Sequence, residues 1–236
     1  MKNLAIIPAR SGSKGLKNKN IIQINGQPLI AYTINAALSS NCFDTVMVST
    51  DSLEYATIAK KYNAEVPFLR SQLNSGDASD TWDVVREVLN RYLELGQEFD
   101  YVAILQPTSP LRTAEDIKNA FKQLNNDNVN NVVSVVECEH PVQWCFQLDS
   151  SNSLKNLAES PYIFKRRQEL KKYYHENGAI YIVKADKILN KKYNFYNDAC
   201  FAYVMKRTHS VDIDEKADLY FCEALMKEKD RKINNE

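Results

Sequence analysis

The sequence lacks the cysteine and histidine patterns that mark common metal sites. Its five cysteines include no Cys-x-x-Cys pair, and its three histidines, His140, His175 and His209, form no His-Glu-x-x-His motif. Such patterns supply the ligands of structural and catalytic zinc. We therefore predict no zinc site, and we expect reduced, partly buried thiols. No serine lies in a Gly-x-Ser-x-Gly elbow, so a hydrolase triad has no support either.

An excess of charge of one sign and long apolar runs are also missing. Lysine plus arginine equal aspartate plus glutamate at 30 each, so no global field would draw the protein onto nucleic acid or an anionic membrane. The apolar run in MKNLAIIPAR is too short for a signal peptide, and nothing later approaches a spanning length. We expect a cytoplasmic protein with no nucleic-acid or membrane partner, in which any phosphate site is local. The 236 residues fit one domain.

Short runs rich in branched residues alternate with stretches of helical period through the first 137 residues. The runs predict buried strands at Leu4–Ile7, Val46–Ser49, Tyr101–Leu105, Val132–Val136 and Ala179–Val183. The stretches predict helices at Pro28–Leu38, Leu53–Tyr62, Trp82–Leu95 and Ala114–Leu124. This alternation predicts an α/β fold with a doubly wound, mainly parallel sheet, whose ligands bind beyond the carboxyl ends of the strands. The loops starting at Pro8, Thr50 and Gln106 are therefore the candidate binding loops.

The segment that follows residue 138 breaks this alternation. It contains two prolines, a polar stretch and a basic cluster at Lys165–Arg167, so we interpret residues 139–200 as an inserted arm. A last helix is predicted at about Glu215–Lys227, and the polar tail after it is expected to fray.

The first candidate loop is rich in cations and glycine. Residues 10–20, RSGSKGLKNKN, contain two glycines, two serines and four cations. Glycines let backbone N–H groups turn toward a polyphosphate, and the cations neutralise the charge that develops in phosphoryl or nucleotidyl transfer. The loop is neither a Walker A loop nor Gly-x-Gly-x-x-Gly. A solvated basic turn is the plain alternative, but the position directly after a buried first strand favours a phosphate site.

These residues carry a resemblance to a known family. IPARSGSKGLKNKN resembles the N-terminal signature of the acylneuraminate cytidylyltransferases, and LQPTSPLR is similar to their second signature. The segments NGAIY and SVDID follow in the family's order, so the resemblance covers nearly the whole chain. It implies a single cytidylyltransferase domain of residues 1–236, a nucleotidyltransferase-like α/β/α sandwich with a dimerisation arm, a homodimer, and activity with CTP and Mg²⁺.

The resemblance also implies which residues bind CTP. By matching position, Arg10, Lys14, Lys19 and Asn20 would line the triphosphate, and Ser13 would also bind CTP. The cytosine would be bound by Arg70, Ser79 and Thr81. The sequence departs from the family where Lys17 and Asn18 stand in place of a common proline, and where Ser71 replaces another. An ordinary helix start capped by Ser79 or Asp80 is also expected at this second loop.

A second set of positions matches the sugar side of the family's site. These positions are Gln106, Arg167, Gln168, Asn177, Tyr181 and Phe195. Gln106 follows a strand at its carboxyl end, and the neighbouring prolines restrict its loop. An arginine suits the carboxylate of a 2-keto acid because its planar fork donates two N–H groups. Phe195 and Tyr196 fit either aromatic walls of a neighbouring subunit's pocket or plain core packing.

The pair Asp212 and Asp214 is the candidate metal site. In extended chain both carboxylates point to one face while Val211 and Ile213 face the core. Mg²⁺ takes hard oxygen ligands, few of them from protein. A turn or a helix cap is the alternative for an isolated Asp-x-Asp, and Asp214 also suits a cap.

We expect Arg10, Lys19, Asp212 and Asp214 to be catalytic, and the chain to transfer CMP from CTP to the anomeric hydroxyl of a nine-carbon 2-keto sugar acid of the N-acetylneuraminic type. Charge neutralisation would carry most of the catalysis. The base is either a metal-bound water or a carboxylate of the pair. Legionaminic and pseudaminic acids are the alternative substrates, and an eight-carbon octulosonic acid fits less well. A non-catalytic nucleotide-binding module is the alternative from a different class.

Overall fold

The computed structural model describes residues 1–12, 15–76, 80–148, 150–158 and 160–234. Eight strands form two sheets. The strands are β1 (Asn3–Pro8), β2 (Gln23–Ile24), β3 (Gln27–Pro28), β4 (Thr45–Ser49), β5 (Tyr101–Ile104), β6 (Asn131–Glu137), β7 (Tyr174–Lys184) and β8 (Cys200–Val204). The helices are α1 (Leu29–Ser40), α2 (Leu53–Lys61), α3 (Thr81–Glu94), α4 (Ala114–Lys122), α5 (Lys155–Ala158), α6 (Ala185–Leu189) and α7 (Lys216–Asn234).

The main sheet has six strands in the order β4-β1-β5-β7-β6-β8. Of its five pairings three are parallel, and the two that involve β7 are antiparallel. The predicted mainly parallel sheet is therefore confirmed, with one reversed strand inside it. Because β7 runs against β5, the start of β7 lies at the edge where β5 ends. The chain after Ile104 thus meets the residues that precede Tyr181, its partner in the ladder.

Helices cover both faces of this sheet. On one face α1, α2 and α4 pack their buried residues against the strands, as Ile34, Tyr55 and Ile117 do. On the other face α3 and α6 bury Val88 and Ile188. A third cluster joins α7 to the small β2–β3 hairpin through Ile24 and Met226. The result is three layers, in which β1, β4, β5 and β6 are buried along most of their length, whereas the edge strand β8 and the start of β7 are largely exposed.

The predicted elements agree with these bounds to within one or two residues at most ends, but several features differ. The hairpin β2–β3, the edge strand β8 and the short helices α5 and α6 were not predicted from the sequence. The sequence analysis expected a frayed tail after residue 227, whereas α7 continues to Asn234. The segment of residues 139–200 that it assigned to an arm includes β7, which pairs on both sides within the sheet. In the part of the chain that is described, no helix is long and apolar enough to cross a membrane.

Candidate active site

A cavity of about 440 Å³ opens at the carboxyl end of the parallel strands. Three segments border it, namely the loop after β1, the segment 70–81 before α3, and the loop after β5. Its lining residues are Pro8, Arg10, Gly15, Lys19, Asn20, Arg70, Asn74, Gly76, Thr81, Val84, Gln106, Pro107 and Thr108. The structure thus brings together Arg10, Lys19, Asn20, Arg70, Thr81 and Gln106 from the predicted site. Ser13, Lys14 and Ser79 lie outside the described residues.

The loop after β1, which carries Arg10 and Lys19, is called the cation loop below. Hydrogen bonds within it and with the loop after β4 fix its shape. The backbone N–H and hydroxyl of Ser11 donate to the Asp51 carboxylate, at 2.8 and 3.0 Å. The buried Asn20 amide donates to the backbone oxygen of Arg10 at 3.1 Å. Asn18 has a left-handed backbone with φ of 54°, a conformation that proline cannot adopt and asparagine tolerates. The absence of the family's proline therefore fits the turn that this loop makes.

The segment before α3 is fixed by one carboxylate that the sequence analysis did not single out. Glu87 of α3 accepts from the Ser71 backbone N–H and hydroxyl, each at 2.8 Å, and from the Asn74 amide. Burial would raise the pKa of Glu87, but these hydrogen bonds outweigh it and hold the pKa below its usual value. Ser71, which departs from the family pattern, thus has a defined role. Its hydrogen bonds hold against α3 the loop that contains the cavity-lining residues Asn74 and Gly76.

Arg70 is held against the end of β4 within this cavity. Its guanidinium donates to the Ser49 backbone oxygen at 2.6 Å and to the Ser49 hydroxyl at 3.1 Å. Burial lowers the pKa of Arg70 to about 10, against the opposing effect of the Asp51 and Glu87 charges. The side chain therefore remains a cation at neutral pH. Its position at the cavity wall agrees with the predicted base-side role but does not test it.

Thr81 begins α3 at the mouth of the cavity. Asp80 caps this helix, since its carboxylate accepts from the Trp82 backbone N–H at 3.0 Å. This confirms the expected capped helix start, with Asp80 as the cap.

Gln106 lies opposite a glycine of β7. Gly178 has φ of +71°, and a side chain built on it would place its Cβ 3.1 Å from Gln106 Oε1 and 3.7 Å from Asp212 Oδ2. The glycine therefore leaves the space between an amide and a carboxylate open. The buried Arg112 fixes this spacing, because one of its nitrogens donates to the backbone oxygens of Gln106 and Ala179, at 3.1 and 2.9 Å.

Asp212 and Asp214 reach the site from the segment that precedes α7. The Ile213 N–H donates to the Thr108 backbone oxygen at 2.8 Å, and Val211 and Ile213 are buried as predicted. The Lys19 ammonium and Asp214 carboxylate form an ion pair of 2.8 Å. Asp214 does not cap α7; instead Asp218 of that helix accepts from the backbone N–H of Asp214 at 2.9 Å.

The two carboxylates differ in environment. Asp214 has an exposed side chain, whereas Asp212 is partly buried. Burial raises the pKa of Asp212, and the Asp214 charge adds to the rise, while a hydrogen bond with Thr108 and the Lys19 charge oppose it. The buried Asp212 Oδ1 has no hydrogen-bond partner among the described residues. A buried anionic oxygen is costly unless something binds it. Asp212 Oδ1 is therefore available as a ligand for a divalent cation.

Those described residues contain no cluster of three or more His, Cys, Asp and Glu side chains that could hold a metal. A cation bound at Asp212 and Asp214 would therefore need its other ligands from substrate or water, which is the usual arrangement for Mg²⁺ with nucleotides.

Asn177 is buried, and both its side-chain oxygen and its side-chain nitrogen form hydrogen bonds. Its oxygen accepts from the Ser134 hydroxyl at 2.6 Å and from the Ala179 N–H at 3.2 Å. Its nitrogen donates to the Ser210 hydroxyl at 3.0 Å. These bonds tie β6 and β7 to the segment that carries Asp212. The geometry thus supports a positioning role for Asn177, while its predicted contact with a sugar stays a prediction.

Aromatic side chains form a wall beyond Gln106. Trp82 stacks on the buried Phe195 with ring centroids 4.6 Å apart, and Tyr181 and Tyr196 meet Phe195 edge-on at 6.1 and 5.0 Å. Phe195 therefore packs in the core, one of the two roles expected for it. Burial raises the pKa of Tyr181, and the nearby Glu176 carboxylate, which accepts from its hydroxyl at 3.0 Å, raises it further.

Arg167 and Gln168 lie elsewhere. They border a separate cavity of about 390 Å³, together with Glu137, Cys138, Pro141, Leu170, Lys171, Lys172 and Tyr173. The two cavities share no lining residue. Within one protomer, the structure therefore does not bring these two predicted sugar residues to Gln106.

Sequence reasoning also missed several residues that shape the site. Asp51 could have been identified from the sequence, because it lies in the candidate binding loop that starts at Thr50. Glu87, Gly178 and Arg112 act through contacts with residues distant in the chain, and no local motif marks the first of them.

Comparison with known proteins assigns the chain to a class. The family model described as cytidylyltransferase matches residues 4–232. The chain is 39% identical over 233 residues to CMP-N,N'-diacetyllegionaminic acid synthase of Legionella pneumophila, covering 96% of this chain and 97% of that protein. It is 36% identical over 231 residues to an N-acylneuraminate cytidylyltransferase of Escherichia coli, covering 98% of this chain and 53% of that protein.

Among solved structures, the fold resembles that of a CMP:2-keto-3-deoxy-manno-octonic acid synthetase complexed with CTP. The TM-score is 0.69 with 18% identity, over 97% of this chain and 100% of that chain. At this identity the likeness concerns the fold alone, and it confirms the predicted fold class.

Proposed function

Because this chain belongs to the cytidylyltransferase family, we propose that it transfers CMP from CTP to the anomeric hydroxyl of a nine-carbon 2-keto sugar acid and releases pyrophosphate. The observation that carries the proposal is the convergence of Arg10, Lys19 and Gln106 on one cavity, with Asp212 beside Gln106. These residues come from three distant parts of the chain. Their chemistry covers the needs of the reaction, namely cations for the phosphates, an amide for the sugar and carboxylates for a metal.

In the proposed reaction the anomeric oxygen attacks the α-phosphorus of CTP in line with the bond to the bridging oxygen. A new O–P bond forms, the bridging bond breaks, and pyrophosphate leaves with the electron pair. Arg10 and Lys19 stabilise the charge on the phosphates, which is largest in the crowded transition state. Asp212, whose carboxylate lies beside the space left by Gly178, is placed to take the hydroxyl proton.

Asp212 and Asp214 would hold Mg²⁺, which supplies charge neutralisation at the transferred and departing phosphates when bound. Lys19 then has two roles. It binds Asp214 in the protein alone, at 2.8 Å, and it is positioned to turn toward an incoming triphosphate. The hydrogen bonds of Ser11 with Asp51 would hold the start of the loop during this exchange.

For the sugar, the relatives favour nine-carbon acids of three kinds, since a pseudaminic acid cytidylyltransferase of Campylobacter jejuni is also 36% identical over 227 residues. The 39% identity to a legionaminic acid synthase, matched along nearly the full length of both chains, favours N,N'-diacetyllegionaminic acid. N-acetylneuraminic acid, the substrate expected from the sequence motifs, is the next candidate, and pseudaminic acid is the third. Gln106 and the aromatic wall would bind any of them.

We also propose that the protein works as a homodimer. Residues 142–174 expose a series of large apolar side chains, namely Val142, Phe146, Leu148, Leu154, Tyr162, Phe164, Tyr173 and Tyr174. Large apolar side chains that are exposed together in one segment suit an interface with another chain. A second copy packed against them would let Arg167 and Gln168 reach the neighbouring protomer's sugar site. Light scattering should give twice the chain mass, and a monomer at assay concentration would contradict this.

The experiment that tests the function is pyrophosphate release in the presence of Mg²⁺. Each of the four nucleoside triphosphates is paired with legionaminic, N-acetylneuraminic, pseudaminic and 3-deoxy-octulosonic acids. Release with CTP and a nine-carbon acid supports the proposal, and the rates rank the acids. A folded protein that binds CTP yet releases no pyrophosphate with any acid would instead be a nucleotide-binding module.

A further inference from the structure

Glu176 of β7 has no role in the reaction described above, yet its carboxylate contacts the aromatic wall. Its carboxylate accepts from the Tyr181 hydroxyl at 3.0 Å and is also bonded by the Tyr196 hydroxyl. Both tyrosines belong to the aromatic wall with Trp82 and Phe195. A carboxylate has about four acceptor positions, so two hydroxyls leave it able to accept further hydrogen bonds. Glu176 is exposed, which makes those positions accessible.

The sheet order places this carboxylate at the far end of the substrate site. The cation loop follows β1, Gln106 follows β5, and Glu176 lies on β7, and these three strands are consecutive neighbours in the sheet. Tyr181 pairs with Ile104 in the ladder, two residues before Gln106, so Tyr181 lies beside the end of β5 from which Gln106 follows. From β1 to β7 the distance is two strand spacings, roughly 10 Å. An extended sugar acid fits along this line.

Charge then determines the direction of the sugar. Its C1 carboxylate and reacting C2 hydroxyl must lie at the phosphate end, beside the cations Arg10 and Lys19. The opposite end would meet the negative charge of Glu176, which repels a carboxylate and accepts hydrogen bonds from O–H or N–H groups. The C7–C9 tail of a nine-carbon acid carries such donors.

We propose that Glu176 is a specificity-determining residue, which recognises the C7–C9 tail of the sugar acid by accepting hydrogen bonds from its hydroxyl or amide groups. This inference rests on the proposed function, and it adds the end of the substrate at which selection occurs. Tyr181 and Tyr196 position the carboxylate. Acids whose tail ends at C7 keep only the first of these donor positions and should gain less from it.

The test compares two substrates in two proteins. Wild-type chain and Glu176→Gln are assayed with the best nine-carbon acid of the panel and with a tail-shortened analogue that ends at C7. In Glu176→Gln the ratio of kcat/KM for the full acid to that for the shortened acid should fall about tenfold, since a hydrogen bond to a charged acceptor is replaced by a weaker one. The KM for CTP should not change. Tyr181→Phe, which frees one side of the carboxylate, should lower the ratio less.

Glu94→Gln is the matched control, because it removes the same charge from the exposed end of α3 opposite to Thr81. It should leave the ratio unchanged. An unchanged ratio in Glu176→Gln, with full turnover, overturns the inference while the proposed function stands. A loss that is equal for both acids, or that raises the KM for CTP, also overturns it. If the wild-type chain turns over no acid, the proposed function has failed and the inference falls with it.

Discussion

Lys19 and Asp214 lie 195 positions apart in the chain and form an ion pair of 2.8 Å. This contact joins the cation loop after β1 to the acidic segment before α7. The backbone supports the same approach, since a Cβ on Gly15 would lie 2.9 Å from the Asp214 backbone oxygen. The proposed phosphate ligands and the proposed metal ligands therefore meet at one edge of the cavity, as nucleotidyl transfer requires.

Arg10→Ala should reduce turnover at least tenfold with folding intact. The guanidinium borders the cavity, and the loss of one cation from a crowded phosphate site costs roughly 1.4 kcal/mol or more of transition-state stabilisation. Steady-state kinetics with saturating CTP measures the loss, and thermal unfolding checks the fold. Lys17→Ala, which removes an exposed cation from the same loop, is the control and should change the rate little. Equal rates for Arg10→Ala and wild type would remove Arg10 from the mechanism.

Asp212→Asn should weaken Mg²⁺ activation more than Asp214→Asn does. Asp212 Oδ1 is buried without a hydrogen-bond partner among the described residues, whereas the Asp214 side chain is 76% exposed. We expect the half-activating Mg²⁺ concentration to rise about tenfold in Asp212→Asn and several-fold in Asp214→Asn. Calorimetric titration of the CTP-bound protein with Mg²⁺ gives an independent readout. The exposed Asp127→Asn serves as the control, and Mg²⁺ titrations that coincide with wild type for both variants would contradict the assignment.

Gly178→Ala should raise the KM for the sugar acid about tenfold and leave the KM for CTP unchanged. The new methyl group would fill the space between Gln106 and Asp212. Its left-handed backbone adds a stability cost of roughly 1 kcal/mol. Gly26→Ala separates the two effects, because Gly26 has φ of +78° with nothing within 4 Å of a built Cβ. It should lose similar stability without the kinetic change. Similar sugar KM values in both variants would mean that the space is not used.

In Glu87→Gln the free energy of unfolding should change less between pH 7 and pH 3 than it does in the wild type. The folded-state pKa of Glu87 is lowered, so its carboxylate stabilises the fold above the unfolded pKa of about 4.3 and loses this effect as the pH falls through the folded-state value. At pH 7 the variant should be about 1 kcal/mol less stable. The difference should shrink below about pH 4. Urea unfolding between pH 3 and 7 measures it, and a difference that stays constant to pH 3 would refute the explanation.

The alternation of strands and helices and the identity of the cation loop could be predicted from the sequence alone. Both depend on local information. Buried parallel strands require continuous apolar runs such as Leu4–Ile7, and amphipathic helices require apolar residues at intervals of three and four. The loops at Pro8 and Gln106 could be nominated because ligands bind where parallel strands end, and the structure brings both to one cavity.

How the distant parts of the site combine could not be predicted from the sequence, because it depends on the tertiary structure. β7 enters the sheet antiparallel between β5 and β6, and no feature of its sequence reveals its neighbours or its direction. That placement puts Gly178 against Gln106 and Asp212, buries Asn177 in the framework, and separates Arg167 from the cavity. Glu87 and Arg112 likewise act on residues brought near them by packing. A motif specifies side-chain chemistry along the chain, but which groups face one another depends on long-range pairing that local sequence does not encode.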